Sequence, residues 1–172
     1  GETALNIIND TICAAQVGEE TAFKNLTLFP LLANKTVGRE YQTLDEALTA
    51  GTAKVTEVSN SGTVPELQFL NEGDLPVFLL DGEELVGAKQ NRVLNLSILA
   101  PAHKEIIIPV SCVEQGRWSY RSSEFRAEDR VHYSRGRSAK AASVSRSMSS
   151  DGFRRSDQGE IWRNISEKSA RF

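Results

Sequence analysis

Two short polar segments of this chain carry the side chains best suited to binding a small molecule. The first is Lys-Gln-Asn-Arg at Lys89–Arg92, and the second is Glu-Gln-Gly-Arg-Trp at Glu114–Trp118. Arginine binds phosphate or carboxylate in bidentate fashion, amide groups bind amides or sugar hydroxyls, and a tryptophan ring stacks on a base or on arginine. We therefore predict a ligand-binding site made of Lys89, Gln90, Asn91, Arg92, Glu114, Gln115, Arg117 and Trp118.

Closely spaced strands are predicted to bring these two segments together. Apolar and alternating runs indicate strands at Glu66–Leu70, Pro76–Leu80, Glu84–Ala88, Val93–Leu99 and Glu105–Val113. Asp81-Gly82 is a strong hairpin signal, and strands this close together predict an antiparallel meander. In a regular meander the last strand ends beside the turn at Lys89–Arg92. The two polar segments are therefore expected to converge at one end of the sheet.

The same residues allow other interpretations. Lys89–Arg92 is also typical of a solvated hairpin turn in which Asn91 takes a positive φ. The weak catalytic candidates are Glu84, Cys112 and Glu114. Glu83 and Glu84 alternate across a strand, so an acid/base pair of carboxylates is not predicted there. Cys112 fits an inert buried thiol, because reactive thiols need cationic and partly exposed surroundings. Nearby Arg117 and Lys89 could supply such surroundings.

The composition is typical of one globular domain over residues 1–172. Hydrophobic residues make up 40% and charged residues 25% of the chain. The apolar run Leu75–Leu80 is too short to cross a bilayer, so no membrane partner is predicted. Two cysteines are too few for a disulfide framework and the first residues lack a signal-peptide pattern, which favours a cytoplasmic location. With two cysteines, two histidines and no close pair among them, neither a metal site nor a cofactor is predicted.

The two parts of the chain carry opposite charge. Residues 1–116 contain 7 Lys/Arg and 16 Asp/Glu, a net charge of −9, whereas residues 117–172 contain 13 Lys/Arg and 7 Asp/Glu, a net charge of +6. The basic part could attract phosphate or nucleic acid, could dock on the acidic part of a partner subunit, or could be a solvated tail. A small anionic ligand is the favoured partner, and nucleic acid is not.

Helices are predicted on both sides of the strands. Residues 3–16 have helical apolar spacing, and Thr43 with Glu46 forms a capping box for a helix that ends near Gly51. Residues 134–156 contain eight serines and six Arg/Lys and are predicted to form a mobile loop or linker. Residues 157–170 are predicted to form a helix that packs on the sheet or on another subunit, the latter giving a homo-oligomer. The predicted fold class is α+β, with mainly antiparallel strands in a sandwich or barrel-like form.

Several segments together resemble a known family. "PVFLLDGEELVGAKQNRVLN" and "IPVSCVEQGRWSY" are similar to the ARG- and rhodanese-phosphatase-associated protein domain, where ARG stands for ADP-ribosylglycohydrolase. The resemblance covers residues 18–168 and implies, by association, a role near NAD-derived or ADP-ribosylated molecules. The resemblance does not identify any catalytic residues in this chain. The family domain looks longer at its C-terminus, which implies that this chain is a fragment or a short version.

Three functions are consistent with these observations. The first is a non-enzymatic binding domain for a nucleotide, an ADP-ribose-like anionic ligand or a modified protein. The second is a hydrolase or transferase that acts on an ADP-ribose- or NAD-derived substrate. The third is a structural domain that assembles through its C-terminal helix. The absence of a metal motif and of a catalytic triad favours binding over catalysis.

Overall fold

The computed structural model describes residues 2–33, 40–59, 62–116 and 122–171. The sequence predicts a single domain over residues 1–172, and the structure contains two compact units, residues 1–39 and 40–172. The described strands of the first unit pair only with one another, which is the physical basis of this division.

The first unit consists of one helix and four short strands. They are α1 (Glu2–Ala14), β1 (Gln16–Val17), β2 (Thr21–Phe23), β3 (Leu26–Leu28) and β4 (Leu31–Leu32). Strand β1 pairs with β4 and β2 pairs with β3, both antiparallel. The helix predicted over residues 3–16 is confirmed by α1. Pro30 lies between β3 and β4, and it cannot donate a ladder hydrogen bond.

The second unit contains nine strands and three helices among its described residues. They are β5 (Gln42–Thr43), α2 (Leu44–Thr49), β6 (Ala53–Glu57), β7 (Glu66–Asn71), β8 (Val77–Leu79), β9 (Glu83–Gly87), β10 (Arg92–Leu94), β11 (Ile98–Ala100), β12 (Lys104–Cys112), β13 (Phe125–Val131), α3 (Ser134–Ser150) and α4 (Gln158–Ser169). Six strands form one antiparallel sheet in the order β13-β9-β10-β12-β7-β6, and a smaller sheet has the order β11-β8-β5. The two edge strands of the larger sheet approach each other, so this sheet is nearly closed like a barrel. The predicted α+β class with mainly antiparallel strands is therefore confirmed.

The predicted meander is only partly right. Strands β9, β10 and β12 are neighbours as expected, but the strand predicted over Val93–Leu99 divides into β10 and β11, which belong to different sheets. Polar side chains mark the break. Ser97 Oγ accepts a hydrogen bond from the Asp81 N–H at 3.0 Å, and Asn95 Oδ1 accepts one from Ser111 Oγ at 2.6 Å. Strand β12 lies between β10 and β7 and pairs antiparallel with both.

The core of the second unit lies inside the curved sheet and under α2. Its fully buried apolar side chains include Leu44, Val55, Leu67, Phe69, Leu79, Leu85, Leu94 and Ile108. Strand β7 alternates between exposed or half-buried and buried residues, as a strand with one face on the core must. Full burial of each such side chain contributes about 1.5–3 kcal/mol of hydrophobic stabilisation. The predicted capping box is also confirmed, because Thr43 Oγ1 accepts from the Glu46 N–H and the Glu46 carboxylate accepts from the Thr43 N–H at 2.8 Å.

The serine-rich segment differs most from its prediction. The sequence predicts a mobile loop or linker over residues 134–156, but Ser134–Ser150 is the helix α3. The expectation was wrong because it counted only apolar anchors. The helix is held instead by Lys140, which is 1% exposed and whose Nζ donates to Asp81 Oδ1 and, at 2.6 Å, to the Leu94 carbonyl. Val144 is buried beside it.

Helix α4 packs back on its own chain. It begins after Asp157, whose carboxylate accepts from the Glu160 N–H at 3.0 Å, and it corresponds to the helix predicted over 157–170. The helix contacts α3 and β12, and Ile161 is buried there. The Gln158 amide pairs with the main chain of Cys112, accepting from its N–H at 2.8 Å and donating to its carbonyl at 2.7 Å. This packing covers the apolar face that motivated the predicted homo-oligomer.

Candidate functional site

The two polar segments meet where β10 and β12 lie side by side. The Gln90 side chain donates to the main-chain carbonyl of Glu114, and the Asn91 N–H donates to the Glu114 carboxylate at 3.0 Å. The Val113 N–H donates back to the Asn91 carbonyl at 3.2 Å. These bonds confirm the predicted convergence. The positive φ of the preceding turn falls on Gly87 and Ala88 rather than on Asn91.

Gln90 and Arg92 face the interior of the sheet. Gln90 is 4% exposed and Arg92 is completely buried. The Arg92 guanidinium donates to the Gln90 carbonyl at 3.0 Å and to the Gln90 side-chain oxygen at 3.2 Å, and it lies 3.9 Å from the Glu57 carboxylate. Neither side chain is exposed to a ligand at the surface. Their assignment to the ligand-binding set stays a prediction, and strand alternation places both side chains inward.

Cys112 belongs to the same interior region. It pairs with Arg92 across β10 and β12 and is buried. Burial raises the pKa of the Cys112 thiol, and Arg92 only partly opposes this effect. A buried thiol held in its protonated form is a poor nucleophile, so the structure argues against a catalytic role for Cys112.

Asn91 faces the opposite way, into a cleft of about 400 Å³. Three of the predicted residues line this cleft, namely Glu84, Asn91 and Glu114. The Asn91 side-chain amide donates to the Glu84 carboxylate at 3.4 Å, while its N–H bonds Glu114. Asn91 thus links two carboxylates along one wall, and we call these three residues the acidic wall. Glu83 points elsewhere, as predicted, and accepts a hydrogen bond from the Leu80 N–H at 2.8 Å.

The same cleft is also lined by residues that sequence reasoning missed. They are Arg130, His132, Tyr133, Ile165, Lys168 and Ser169. The segment Phe125–Val131 was not recognised as a strand, because its charged residues hide any alternation. Its pairing with β9 is what carries His132 and Tyr133 to the cleft. The sequence signal that could have identified these residues is the pair of ring side chains in Val-His-Tyr, directly after this segment.

His132 is held as part of the cleft wall. Its N–H donates to the Gly82 carbonyl at 2.8 Å, and its ring lies 4.9 Å from the Tyr133 ring, centroid to centroid. Its Nε2 packs so closely on Gly136 that a Cβ at that position would overlap it. Burial lowers the pKa of His132, and the nearby cations Lys140 and Lys168 lower it further. The imidazole is therefore favoured in its neutral form.

Tyr133 and Lys168 form a second fixed part of the cleft. The Tyr133 hydroxyl donates to the Asn164 carbonyl at 2.9 Å, which fixes the phenol ring against α4. The Lys168 ammonium lies 4.2 Å from the centre of this ring, a cation–π distance. Arg130 is partly neutralised by Glu128, whose carboxylate is 3.6 Å away. The cleft lining therefore combines two carboxylates and an amide with two rings and two cations.

The remaining predicted residues do not line this cleft. Lys89 is half-buried and Gln115 is exposed, and neither belongs to the described lining. Arg117 and Trp118 lie outside the described residues. Within the described part of the chain, no group of three or more His, Cys, Asp or Glu side chains could hold a metal ion. The same residues include no helix long and apolar enough to span a bilayer.

Comparison with known proteins identifies the family. No curated protein and no solved structure matches this chain. The family model of the ARG and Rhodanese-Phosphatase-superfamily-associated Protein domain matches residues 14–172, which is most of the sequence. The match includes the acidic wall, the rings that line the same cleft and both helices that support them. The chain therefore belongs to the ARG and Rhodanese-Phosphatase-superfamily-associated Protein domain family.

Proposed function

We propose that this protein is a binding domain for an anionic ligand that also carries hydroxyl groups, such as a nucleotide or an ADP-ribose-like molecule. The observation that carries the proposal is the arrangement of the cleft. The acidic wall, His132, Tyr133 and Lys168 all line one space of about 400 Å³. This volume falls within the range of about 300–1,000 Å³ that is usual for small-molecule sites.

Different groups of the cleft lining suit different parts of such a ligand. The carboxylates of the acidic wall accept hydrogen bonds, which favours sugar hydroxyls beside them. The ammonium of Lys168 and the guanidinium of Arg130 suit negatively charged oxygens. The rings of His132 and Tyr133 offer apolar faces on which a base can pack. The family's association with ARG proteins supports a ligand of this chemistry.

Calorimetric titration with ADP-ribose, NAD and ADP tests the proposal. We expect saturable binding of at least one of them, weakened roughly tenfold by Asn91→Ala because a hydrogen bond to a bound ligand contributes about 1–1.5 kcal/mol. Asn6→Ala, an exposed substitution on α1, is the control and should bind like the parent chain. Absence of saturable binding for all three compounds, or equal affinities of the two variants, would contradict the proposal.

A second candidate is a hydrolase or transferase acting on the same ligand. It is favoured by the presence of Glu84, Glu114 and a neutral His132 in one cleft, since these groups can exchange protons with a substrate. Glu114→Gln keeps the side-chain size and removes the charge. Release of ribose or phosphate by the parent chain, lost in this variant while binding persists, would favour the enzyme. Binding without turnover in the parent chain would favour the binding domain.

A further inference from the structure

We propose that a smaller cavity beside the cleft is a phosphate-binding subsite, so that the ligand is a sugar joined to a phosphate or diphosphate. This inference rests on the proposed function for the sugar part of the ligand. The cavity has a volume of about 240 Å³ and is lined by Tyr133, Arg135, Asn164, Glu167, Lys168 and Arg171. It is smaller than the cleft.

The charge of the cavity lining favours an anion. Arg135, Lys168 and Arg171 contribute three cations, against one carboxylate from Glu167. Guanidinium groups match the geometry of phosphate oxygens and bind them through paired hydrogen bonds. A neutral ligand would gain little from such a lining.

The three cations have no ionic partner within the described residues. No carboxylate oxygen of that part of the chain lies within 4.0 Å of Arg135, Lys168 or Arg171. Arg130 and Arg146, by contrast, have ionic partners, since Arg130 lies 3.6 Å from Glu128 and Arg146 lies 3.4 Å from Glu160. Unpaired cations around one cavity lower the cost of binding an anion, because no internal salt bridge has to break first.

The cavity and the cleft share a wall. Tyr133 and Lys168 line both spaces. The hydrogen bond from the Tyr133 hydroxyl to Asn164 fixes the ring, and the Lys168 ammonium lies over that ring. A ligand whose sugar contacts the acidic wall can therefore extend past Lys168 and place its phosphate between Arg135 and Arg171. The geometry thus selects a sugar phosphate over a plain sugar.

Titration with inorganic pyrophosphate tests the subsite directly. We expect saturable binding that Arg135→Ala/Arg171→Ala weakens about tenfold to a hundredfold, which corresponds to about 1.4–2.8 kcal/mol for the two arginines together. The affinity should also fall as salt is raised, since both arginines are exposed. Arg163→Ala is the matched control, because it removes an exposed arginine of α4 that lines neither space. Melting temperatures of both variants establish that they fold.

The outcomes separate this inference from the proposed function. Pyrophosphate that fails to bind, or that binds equally to the double variant and to Arg163→Ala, overturns the subsite. The proposed function stands in that case if ADP-ribose still binds and Asn91→Ala still weakens it. Conversely, loss of pyrophosphate binding in the double variant supports the subsite even if Asn91→Ala has no effect on ADP-ribose. Free ADP-ribose and an ADP-ribosylated peptide distinguish a soluble from a protein-attached source of the phosphate.

Discussion

The consecutive residues Gln90, Asn91 and Arg92 contribute to two different regions of the molecule. Gln90 and Arg92 point into the sheet and complete a buried polar cluster with Glu57 and Cys112. Asn91 points outward and joins the two carboxylates of the acidic wall. The difference shows that a polar segment of a strand is not one functional unit. Its alternate residues have to be considered separately, because successive side chains project to opposite faces.

The two regions also differ in the hydrogen-bond and ionic partners of their polar groups. In the interior, the Glu57 side chain is only 8% exposed and neither of its oxygens has a hydrogen-bond partner within the described residues. The Glu57 carboxylate therefore depends on the charge of Arg92 for its stabilisation. In the cleft, the carboxylates remain half-buried and can exchange one partner for another. The interior cluster is therefore expected to determine stability, and the acidic wall to determine binding.

The largest expected effect breaks the interior cluster. Arg92→Ala should lower the free energy of unfolding by about 3–5 kcal/mol, because it leaves the buried Glu57 carboxylate without its cation. Urea denaturation measures this loss. Arg92→Met combined with Glu57→Leu should recover much of it, since a buried ion pair can be replaced by apolar groups. If Arg92→Ala instead leaves stability unchanged and only weakens ligand binding, the division between the two regions is incorrect.

A smaller effect is expected where α3 meets the cleft. Gly136→Ala places a Cβ against His132 Nε2 and should lower the free energy of unfolding by about 1–3 kcal/mol, as overpacking usually does. The displaced imidazole should also change ligand affinity. Gly159→Ala in α4 is the control, because the new methyl group meets no atom closer than 3.2 Å. The control should lose less unfolding free energy than Gly136→Ala, and equal losses in the two variants would rule out the predicted contact with His132.

The smallest effect is a dependence of stability on pH. Because the folded chain lowers the pKa of His132 below its ordinary value of 6.5, the unfolded chain takes up a proton first as the solution is acidified. This contribution to stability is present above pH 6.5 and is lost as the pH falls from 6.5 toward the folded pKa. His132→Gln should reduce the slope of unfolding free energy against pH in that window. Asn6→Ala, an exposed substitution of a residue that does not titrate, should leave the slope unchanged, and identical slopes in both variants would contradict the assignment.

Local sequence signals were sufficient to predict the elements that depend on contacts between residues close together in the chain. The capping box needs only Thr43 and Glu46, three residues apart, and the structure contains both of its hydrogen bonds. The proximity of Gln90 to Glu114 could be predicted from the antiparallel connectivity of the strands alone. The sequence did not predict which of these polar residues faces the cleft. That orientation depends on the strand register, and a shift by one residue exchanges the two faces.

Contacts between distant residues account for the rest. Helix α3 is anchored by Lys140 to Asp81, which is 59 residues earlier in the chain. No pattern within the serine-rich segment identifies that partner. The cationic part of the cleft lining likewise depends on α4 returning to the sheet and on β13 pairing with β9. Reasoning from local composition therefore found the acidic wall and missed the residues that line the cleft with it.

The polar anchoring of α3 has a consequence for the measured affinity of any ligand. The acidic wall belongs to the sheet, whereas Tyr133 and Lys168 come from the start of α3 and the end of α4. The site is complete only while both helices are docked, and α3 is anchored to the sheet largely by one buried lysine and few apolar groups. The apparent dissociation constant then equals the intrinsic one divided by the docked fraction. A substitution that loosens Lys140 would weaken binding without touching the ligand, and saturating ligand would slow amide exchange throughout both helices.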